Sequence, residues 1–220
     1  MNQDISICVL TENEMGWTEP FELDKVQILD NYYLSAQKSD IAFLKKMDTA
    51  RLLAGFRTTA GIDTKGVRPY GGWEDSLLGG HCVGHYLTAL AQAVKVTGDK
   101  ELKEKSQTLI AGLEECQKKL GTGFLFGAKV EDKEDVEKQF DILEGKKKGE
   151  TWVPWYNMHK VLAGLVDTYK YTGNETALLV AEKLGDWIYE RVSKRDLKTN
   201  QKVLETEYGG MNDCLYELYS

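Results

Sequence analysis

The feature that most constrains the fold of this chain is an internal repeat with a spacing of 75 residues. Residues 85–102, HYLTALAQAVKVTGDKEL, align with residues 160–178, KVLAGLVDTYKYTGNETAL. The matching positions are Leu90, Lys95, Thr97 and Gly98 in the first copy, and Leu165, Lys170, Thr172 and Gly173 in the second. Each copy has a run with helical periodicity, a Thr-Gly-Asp or Thr-Gly-Asn step, and a second periodic run. The repeat therefore predicts two helical hairpins of one design.

The apolar positions define the faces on which the predicted helices pack. The first helices carry them at Val83, Leu87, Leu90 and Val94, and at Met158, Leu162, Leu165 and Tyr169. The second helices carry them at Leu102, Leu109, Leu113, Cys116 and Leu120, and at Ala177, Ala181, Leu184 and Ile188. Gly98 and Gly173 suit the left-handed conformation that ends a helix, and Asp99 and Asn174 suit the N-cap of the next one.

A third copy begins at residues 209–220, GGMNDCLYELYS, which match the second copy with a shift of 50 residues. On this register the chain stops inside a helix, before its partner. Because half a hairpin cannot bury its apolar face, we expect a piece of a longer α/α repeat protein. Residues 40–56 predict one earlier helix, with apolar positions at Phe43, Leu44, Met47 and Leu52.

Composition and charge argue against several classes of protein. The 220 residues are 42% hydrophobic and 29% charged and include only three prolines, which is typical of a helix-rich globular protein. The net charge of −7, with scattered basic residues, argues against a nucleic acid or membrane partner. Cys8, Cys82, Cys116 and Cys214 form no CxxC pair, which indicates packed thiols in a reducing compartment. With no signal peptide or apolar span, we expect a cytoplasmic protein.

Aromatic and polar residues precede the first helix of each unit. They are Trp73, Glu74, His81 and His85 in the first unit, Trp155, Tyr156 and His159 in the second, and Glu207 and Asn212 in the third. If these helices enter from one face, the clusters meet around one cleft. Aromatic rings stack on sugar C–H faces, while carboxylates and imidazoles bind hydroxyls, so the pattern favours a carbohydrate. The alternative is a set of aromatics that cap the core, with incidental polar neighbours.

His81 and His85 have the spacing of a helical metal-binding pair. No HExxH glutamate separates them, and Thr88 and Gln92 continue the same stripe without metal ligands. We expect cleft-lining polar residues, with buried structural histidines or a metal site as alternatives. The charged stretch between the hairpins, from Glu131 to Lys148, predicts a solvated loop of functional length.

Three segments resemble successive motifs of the glycoside hydrolase family 127/146 group, which contains the β-L-arabinofuranosidases. They are YGGWED…GGHCVGHYLTALA, WVPWYNMHKVLAGLVDTY and EYGGMNDCLYELY, and the resemblance runs from about Phe21 to Ser220. It implies an all-α fold, an incomplete (α/α)6 toroid of which this chain is about half. Residues 1–20 would be an N-terminal segment, and residues 21–220 the N-terminal half of a catalytic domain. The implied activity is the removal of L-arabinofuranose from glycans or glycopeptides with retention of configuration.

In the resembled family a zinc-bound cysteine is the nucleophile, in a site of three cysteines and one glutamate. Those residues lie in later motifs, and none of the four cysteines of this chain occupies their positions. The resemblance therefore implies no catalytic residue and no metal ligand here, with zinc expected only in the full-length family. It implies a sugar-hydroxyl contact for His159 and cleft positions for His81, His85, Trp73, Glu74, Glu207 and Asn212.

We therefore expect an enzyme by family whose isolated chain is inactive. One alternative is another (α/α)6 carbohydrate-active enzyme, such as a lyase or an unsaturated glucuronyl hydrolase. The other is a non-catalytic helical-repeat scaffold, although such a scaffold does not require aromatic and carboxylate clusters before each first helix.

Overall fold

The structure, a computed structural model, describes residues 20–220. This part of the chain contains nine α-helices and two short 3-10 turns. The helices are α1 (Asn31–Lys46), α2 (Thr49–Thr59), α3 (His81–Thr97), α4 (Lys100–Leu120), α5 (Lys138–Leu143), α6 (Pro154–Thr172), α7 (Glu175–Val192), α8 (Leu197–Thr206) and α9 (Met211–Tyr219). The N-terminal segment was predicted at residues 1–20. Residues 1–19 of it, including Cys8, lie outside the described part of the chain.

The two predicted hairpins are confirmed as α3–α4 and α6–α7. Gly98 and Gly173 follow the first helices with a φ of 66° each, in the left-handed region that glycine adopts without strain. The side chains of Asp99 and Asn174 each accept a hydrogen bond from a backbone N–H in the first turn of the next helix. The Thr-Gly-Asp/Asn step thus ends one helix and starts the next in both copies.

The helices form two layers, as expected for part of a helical toroid. One layer contains α3, α6 and α9 side by side, and the other contains α2, α4 and α7. The core lies between them and includes the fully buried side chains of Leu87, Leu90, Leu109, Leu113, Met158, Leu162, Leu165 and Leu184. The apolar periodicity of the repeat therefore identified the buried faces, and Tyr169 alone among the first-helix positions is exposed.

Two glycines let α3 and α6 approach each other closely. A Cβ on Gly84 would overlap the backbone oxygen of Lys160, and a Cβ on Gly164 would contact the backbone of Gly84. No other residue leaves room for backbones at this separation, so the two glycines fix the spacing of the first and second units.

The single helix predicted at residues 40–56 is wrong, because the chain breaks there into α1 and α2. Met47 is extended, and the Asp48 side chain accepts hydrogen bonds from the N–H groups of Ala50 and Arg51, which starts a new helix. Phe43 is 61% exposed, although the periodicity placed it on an apolar face. The N-cap at Asp48 therefore starts a new helix even though the apolar periodicity continues across it.

The charged stretch between the hairpins is only partly the solvated loop that its composition predicted. It contains α5, and its carboxylates surround Arg191, whose side chain is 9% exposed. The guanidinium pairs with Glu137 and Glu144 at 2.8 Å each and with Asp141 at 2.5 Å. Because Glu144 is itself buried, this ion-pair network fastens the loop onto α7. Within residues 20–220 no helix combines the length and the apolar character needed to cross a membrane.

Candidate functional site

Five of the predicted site residues come together where α3 and α6 begin. Their ring centroids are separated by 6.2 Å between Trp73 and His81, 6.3 Å between His81 and His85, 6.3 Å between His81 and Tyr156, and 5.4 Å between Tyr156 and His159. We call this group the ring cluster. It is continuous across both units, as the prediction of one shared cleft required.

The outer members of the ring cluster are accessible to solvent. Trp73 is 66% exposed and Tyr156 is 38% exposed, while His85 is exposed and His159 is half-buried. His81, in contrast, is buried at 7% exposure. The accessible surface of the cluster therefore consists of two aromatic rings and two imidazoles, a combination that suits a polyhydroxylated ring.

Glu74 caps the N-terminus of α3 from a distance in sequence. Its Oε2 accepts the N–H of Gly80 at 2.9 Å, and its Oε1 accepts the N–H of Cys82 at 3.2 Å. Gly80, the N-cap residue, has a φ of 95° and no side chain to do this. A buried carboxylate at a helix N-terminus is stabilised by the free N–H groups and by the helix dipole. Glu74 therefore has a structural task in addition to the sugar contact predicted for it.

The same carboxylate orients His81. Nδ1 of His81 lies 2.8 Å from Oε1 of Glu74 and 2.9 Å from the carbonyl oxygen of Leu78. In a neutral imidazole, two acceptors facing Nδ1 place the hydrogen on Nδ1 and the lone pair on Nε2. Nε2 lies 3.6 Å from the Sγ of Cys82. Burial and the charge of Glu74 raise the pKa of the Cys82 thiol to about 12.

Glu207 caps α6 as Glu74 caps α3. Its Oε2 accepts the N–H of Tyr156 at 2.7 Å, and the carboxyl group is buried at 9% exposure. Burial raises the pKa of Glu207 to about 7, against the hydrogen bond from Tyr156 and the charge of Arg195, which lower it. The third unit thus holds the start of the second unit in place.

Trp155 lies in the core rather than on the cleft surface. It is 6% exposed, its ring centroid lies 4.9 Å from that of Phe140, and the Arg195 guanidinium stacks over it at 4.6 Å. This position agrees with the alternative interpretation of the aromatic clusters, in which the rings cap the core. Because the Trp155 ring is not exposed, it does not support the sugar contact predicted for this residue. Asn212 is exposed in the first turn of α9.

His159 is held by its neighbours on α9. A Cβ on Gly210 would overlap the imidazole, so the glycine backbone lies directly against the ring. The Cys214 thiol donates to the carbonyl oxygen of His159 at 3.4 Å. Burial, reinforced by the nearby Lys160 ammonium, lowers the pKa of His159 to about 4. Partial desolvation of the His85 ring, which stays accessible on one side, and the charge of Lys160 also lower the pKa of His85.

Two further residues position the site, although the sequence assigned neither of them a role there. Asn157 is fully buried, and its side-chain amide donates to the carbonyl oxygens of Leu78 and Gly79, which joins the start of α6 to the segment before α3. The ammonium of Lys160 lies 5.0 Å from the centroid of the Tyr156 ring, and its charge adds to the effect of burial in lowering the pKa of both histidines. Their only signal in the sequence was their place within the motif WVPWYNMHKVLAGLVDTY.

The described residues do not fit the zinc site of three cysteines and one glutamate that the sequence resemblance associates with the family. Cys116 is fully buried in the core, the Cys214 thiol donates a hydrogen bond to the carbonyl oxygen of His159, and neither thiol belongs to a group of three ligating side chains. Within residues 20–220 the one group of three metal-ligating side chains is Glu74, His81 and Cys82.

Comparisons with known proteins agree with this architecture. A family model described as "Beta-L-arabinofuranosidase, GH127 catalytic domain" matches residues 25–220. Among solved structures, the chain is similar to a GH127 β-L-arabinofuranosidase from Geobacillus stearothermophilus T6, with a TM-score of 0.61 and 16% sequence identity. The match covers 88% of this chain and 29% of that chain. A comparison with curated proteins found no match.

Proposed function

Because this chain belongs to the family of β-L-arabinofuranosidase GH127 catalytic domains, we propose that it supplies the sugar-binding wall of a retaining glycoside hydrolase. The observation that carries the proposal is the ring cluster, in which Trp73, Tyr156, His85 and His159 form one accessible surface across two units. The substrate class is a carbohydrate with a terminal L-arabinofuranosyl group, on a glycan or a glycopeptide.

The chemistry of the cluster suits recognition of a neutral sugar. Exposed faces of Trp73 and Tyr156 stack on C–H groups, while imidazoles bond hydroxyls. At neutral pH His159 is uncharged, because its pKa is about 4. A neutral imidazole offers one donor and one acceptor, which matches the dual character of a hydroxyl. The capping carboxylates Glu74 and Glu207 hold these rings in position and add rigidity to the surface.

We further propose that the isolated chain binds without turning over substrate. Glycosidic cleavage with retention needs a nucleophile and an acid/base group. The described thiols are poor nucleophiles, since burial raises the pKa of Cys82 and Cys116 to about 12 and that of Cys214 to about 11. Measurable arabinofuranosidase turnover by the purified chain would contradict this part of the proposal.

The test of sugar binding is a calorimetric titration of the full chain with a β-L-arabinofuranoside, compared with the matched L-arabinopyranoside. We expect binding of the furanoside and a loss of affinity of about fivefold in Trp73→Ala and in His85→Ala, since one contact is worth about 1 kcal/mol. The matched control is Tyr189→Ala, which removes an exposed aromatic from α7, outside the ring cluster. Equal affinities in all four proteins would refute the assignment.

The protonation state of His159 gives an independent check. Because its pKa is lowered to about 4, its ring resonances in an NMR titration should stay constant between pH 8 and pH 5 and move only below that. Affinity for the furanoside should likewise show no step from His159 in this range. A midpoint near pH 6.5 would mean that the ring is charged in the cleft under mildly acidic conditions.

A cytoplasmic location is part of the same proposal. Cys82, Cys116 and Cys214 are all free thiols, which is typical of a reducing compartment. Fractionation of cells that produce the protein, with a thiol-reactive label to count reduced cysteines, tests this directly. Recovery in an oxidising compartment would contradict it.

A further inference from the structure

The turn that leads into α3 brings together three side chains that can ligate a metal ion. The donor atoms of Glu74, His81 and Cys82 all lie within 4.8 Å of one another. Glu74 is engaged in capping α3, and Nδ1 of His81 faces Glu74 and Leu78. Nε2 of His81 faces the Cys82 sulfur and lies within hydrogen-bonding distance of its thiol.

The separation of these last two atoms matches a coordination geometry. Nε2 of His81 and Sγ of Cys82 lie 3.6 Å apart. Zinc binds histidine nitrogen at about 2.0–2.1 Å and cysteine sulfur at about 2.3 Å, and a tetrahedral angle between such bonds separates the ligands by about 3.6 Å. The two donors are thus placed for one tetrahedral ion without movement of either side chain.

The surroundings of the pair resemble those that support a metal-bound histidine. A carboxylate on the far ring nitrogen fixes the tautomer and makes the near nitrogen a better ligand. Glu74 stands in that place at 2.8 Å, and both it and His81 are about 8% exposed in their side chains. The buried negative charge of Glu74 also favours a dication.

A third ligand is available one turn along the helix. His85 follows His81 at the spacing of helical metal-binding histidines, its ring centroid lies 6.3 Å away, and it is exposed. Rotation of an exposed side chain between rotamers is fast and has a small cost. His85 therefore has the freedom to turn towards Nε2 of His81.

We propose that His81, Cys82 and His85 bind a borderline-soft divalent cation of the Zn²⁺ class, with Glu74 as the carboxylate that orients His81 and solvent in the fourth position. The donor set, two nitrogens and one sulfur, favours Zn²⁺ or Co²⁺ over Mg²⁺ or Ca²⁺. Binding releases the Cys82 thiol proton to solvent as the sulfur–metal bond forms, so affinity rises with pH. This site differs in its residues from a site of three cysteines and one glutamate. It shares His85 with the proposed sugar-binding surface, so its test is carried out without sugar and has a readout of its own.

The test is a Co²⁺ titration of the full chain, without a histidine tag, followed by absorption. A thiolate bound to Co²⁺ gives a charge-transfer band in the near ultraviolet, and Zn²⁺ should displace the metal and abolish the band. We expect the band in the parent chain and in the matched controls Cys8→Ser and Cys214→Ser, and its loss in Cys82→Ser, whose fold is checked by circular dichroism. Glu74→Gln, which keeps an acceptor for Nδ1, should weaken the metal affinity by about 10-fold or more.

Three results would overturn the proposal. The first is the absence of a band with the parent chain at saturating Co²⁺. The second is a band that survives in Cys82→Ser, and the third is a band that is lost in Cys8→Ser, which would place the metal in the N-terminal residues. A band that is unchanged in His85→Ala would remove His85 from the ligand set and contradict that part of the site.

Discussion

Replacement of Glu207 by glutamine should change how the stability of the protein depends on pH. In the fold, burial raises the pKa of this carboxyl from the usual 4.5 to about 7. A raised pKa means that the folded state binds the proton more tightly than the unfolded state, so stability falls as the pH rises from 4.5 to 7 and then levels off. At about 1.4 kcal/mol for each pKa unit, the full effect is about 3 kcal/mol.

Glu207→Gln removes the charge and keeps an oxygen that accepts the N–H of Tyr156. We expect the variant and the parent to unfold at similar urea concentrations at pH 4, where Glu207 is protonated in the folded state and mostly protonated in the unfolded state. At pH 8 the variant should be more stable by about 3 kcal/mol, because the parent must bury an ionised carboxylate. The assay is urea unfolding followed by circular dichroism at both pH values. Parallel pH dependences for the two proteins would refute the reasoning, as would a variant that is less stable at pH 8.

Two further predictions concern the contacts that hold the site in place. Gly84→Ala should destabilise the fold by about 3 kcal/mol in urea unfolding, because its Cβ would overlap the backbone of Lys160. The control is Gly185→Ala, whose Cβ would contact only the flexible end of the Leu218 side chain. Its free energy of unfolding should stay close to that of the parent. Arg191→Ala should lower stability by about 2–3 kcal/mol, since the buried Glu144 carboxylate loses one charged hydrogen-bond partner and keeps Arg195 and Lys146. An effect below about 1 kcal/mol in Arg191→Ala would show that the charged loop is not fastened by this network.

The hairpins and the site were predictable to different degrees because they depend on signals of different range. The turns at Gly98 and Gly173 are local, since one glycine and the next residue determine the end of one helix and the start of another. The sequence repeat then placed the residue clusters that precede α3 and α6 at the same end of the layer formed by α3, α6 and α9. In the structure Trp73, His85 and His159 lie at that end, within the ring cluster.

The capping roles could not be read from the sequence. Glu207 caps a helix that begins 53 residues earlier, at Pro154, and no local pattern links such distant positions. Asn157 likewise carried no signal apart from its place in a motif, because its partners are carbonyl groups of the preceding unit. The break at Asp48 was missed for the opposite reason: its cap is local, but the apolar periodicity on both sides continued across it.

The central claim, that the ring cluster binds a furanosyl sugar, is tested most directly by NMR of the full chain with labelled histidine and tryptophan side chains. On addition of a β-L-arabinofuranoside, the account predicts saturable shifts of the His85, His159 and Trp73 ring resonances with one common dissociation constant. Resonances of Trp187, in the core at 7% exposure, should stay in place. Shifts confined to other residues, or no shifts at saturating sugar, would contradict the account.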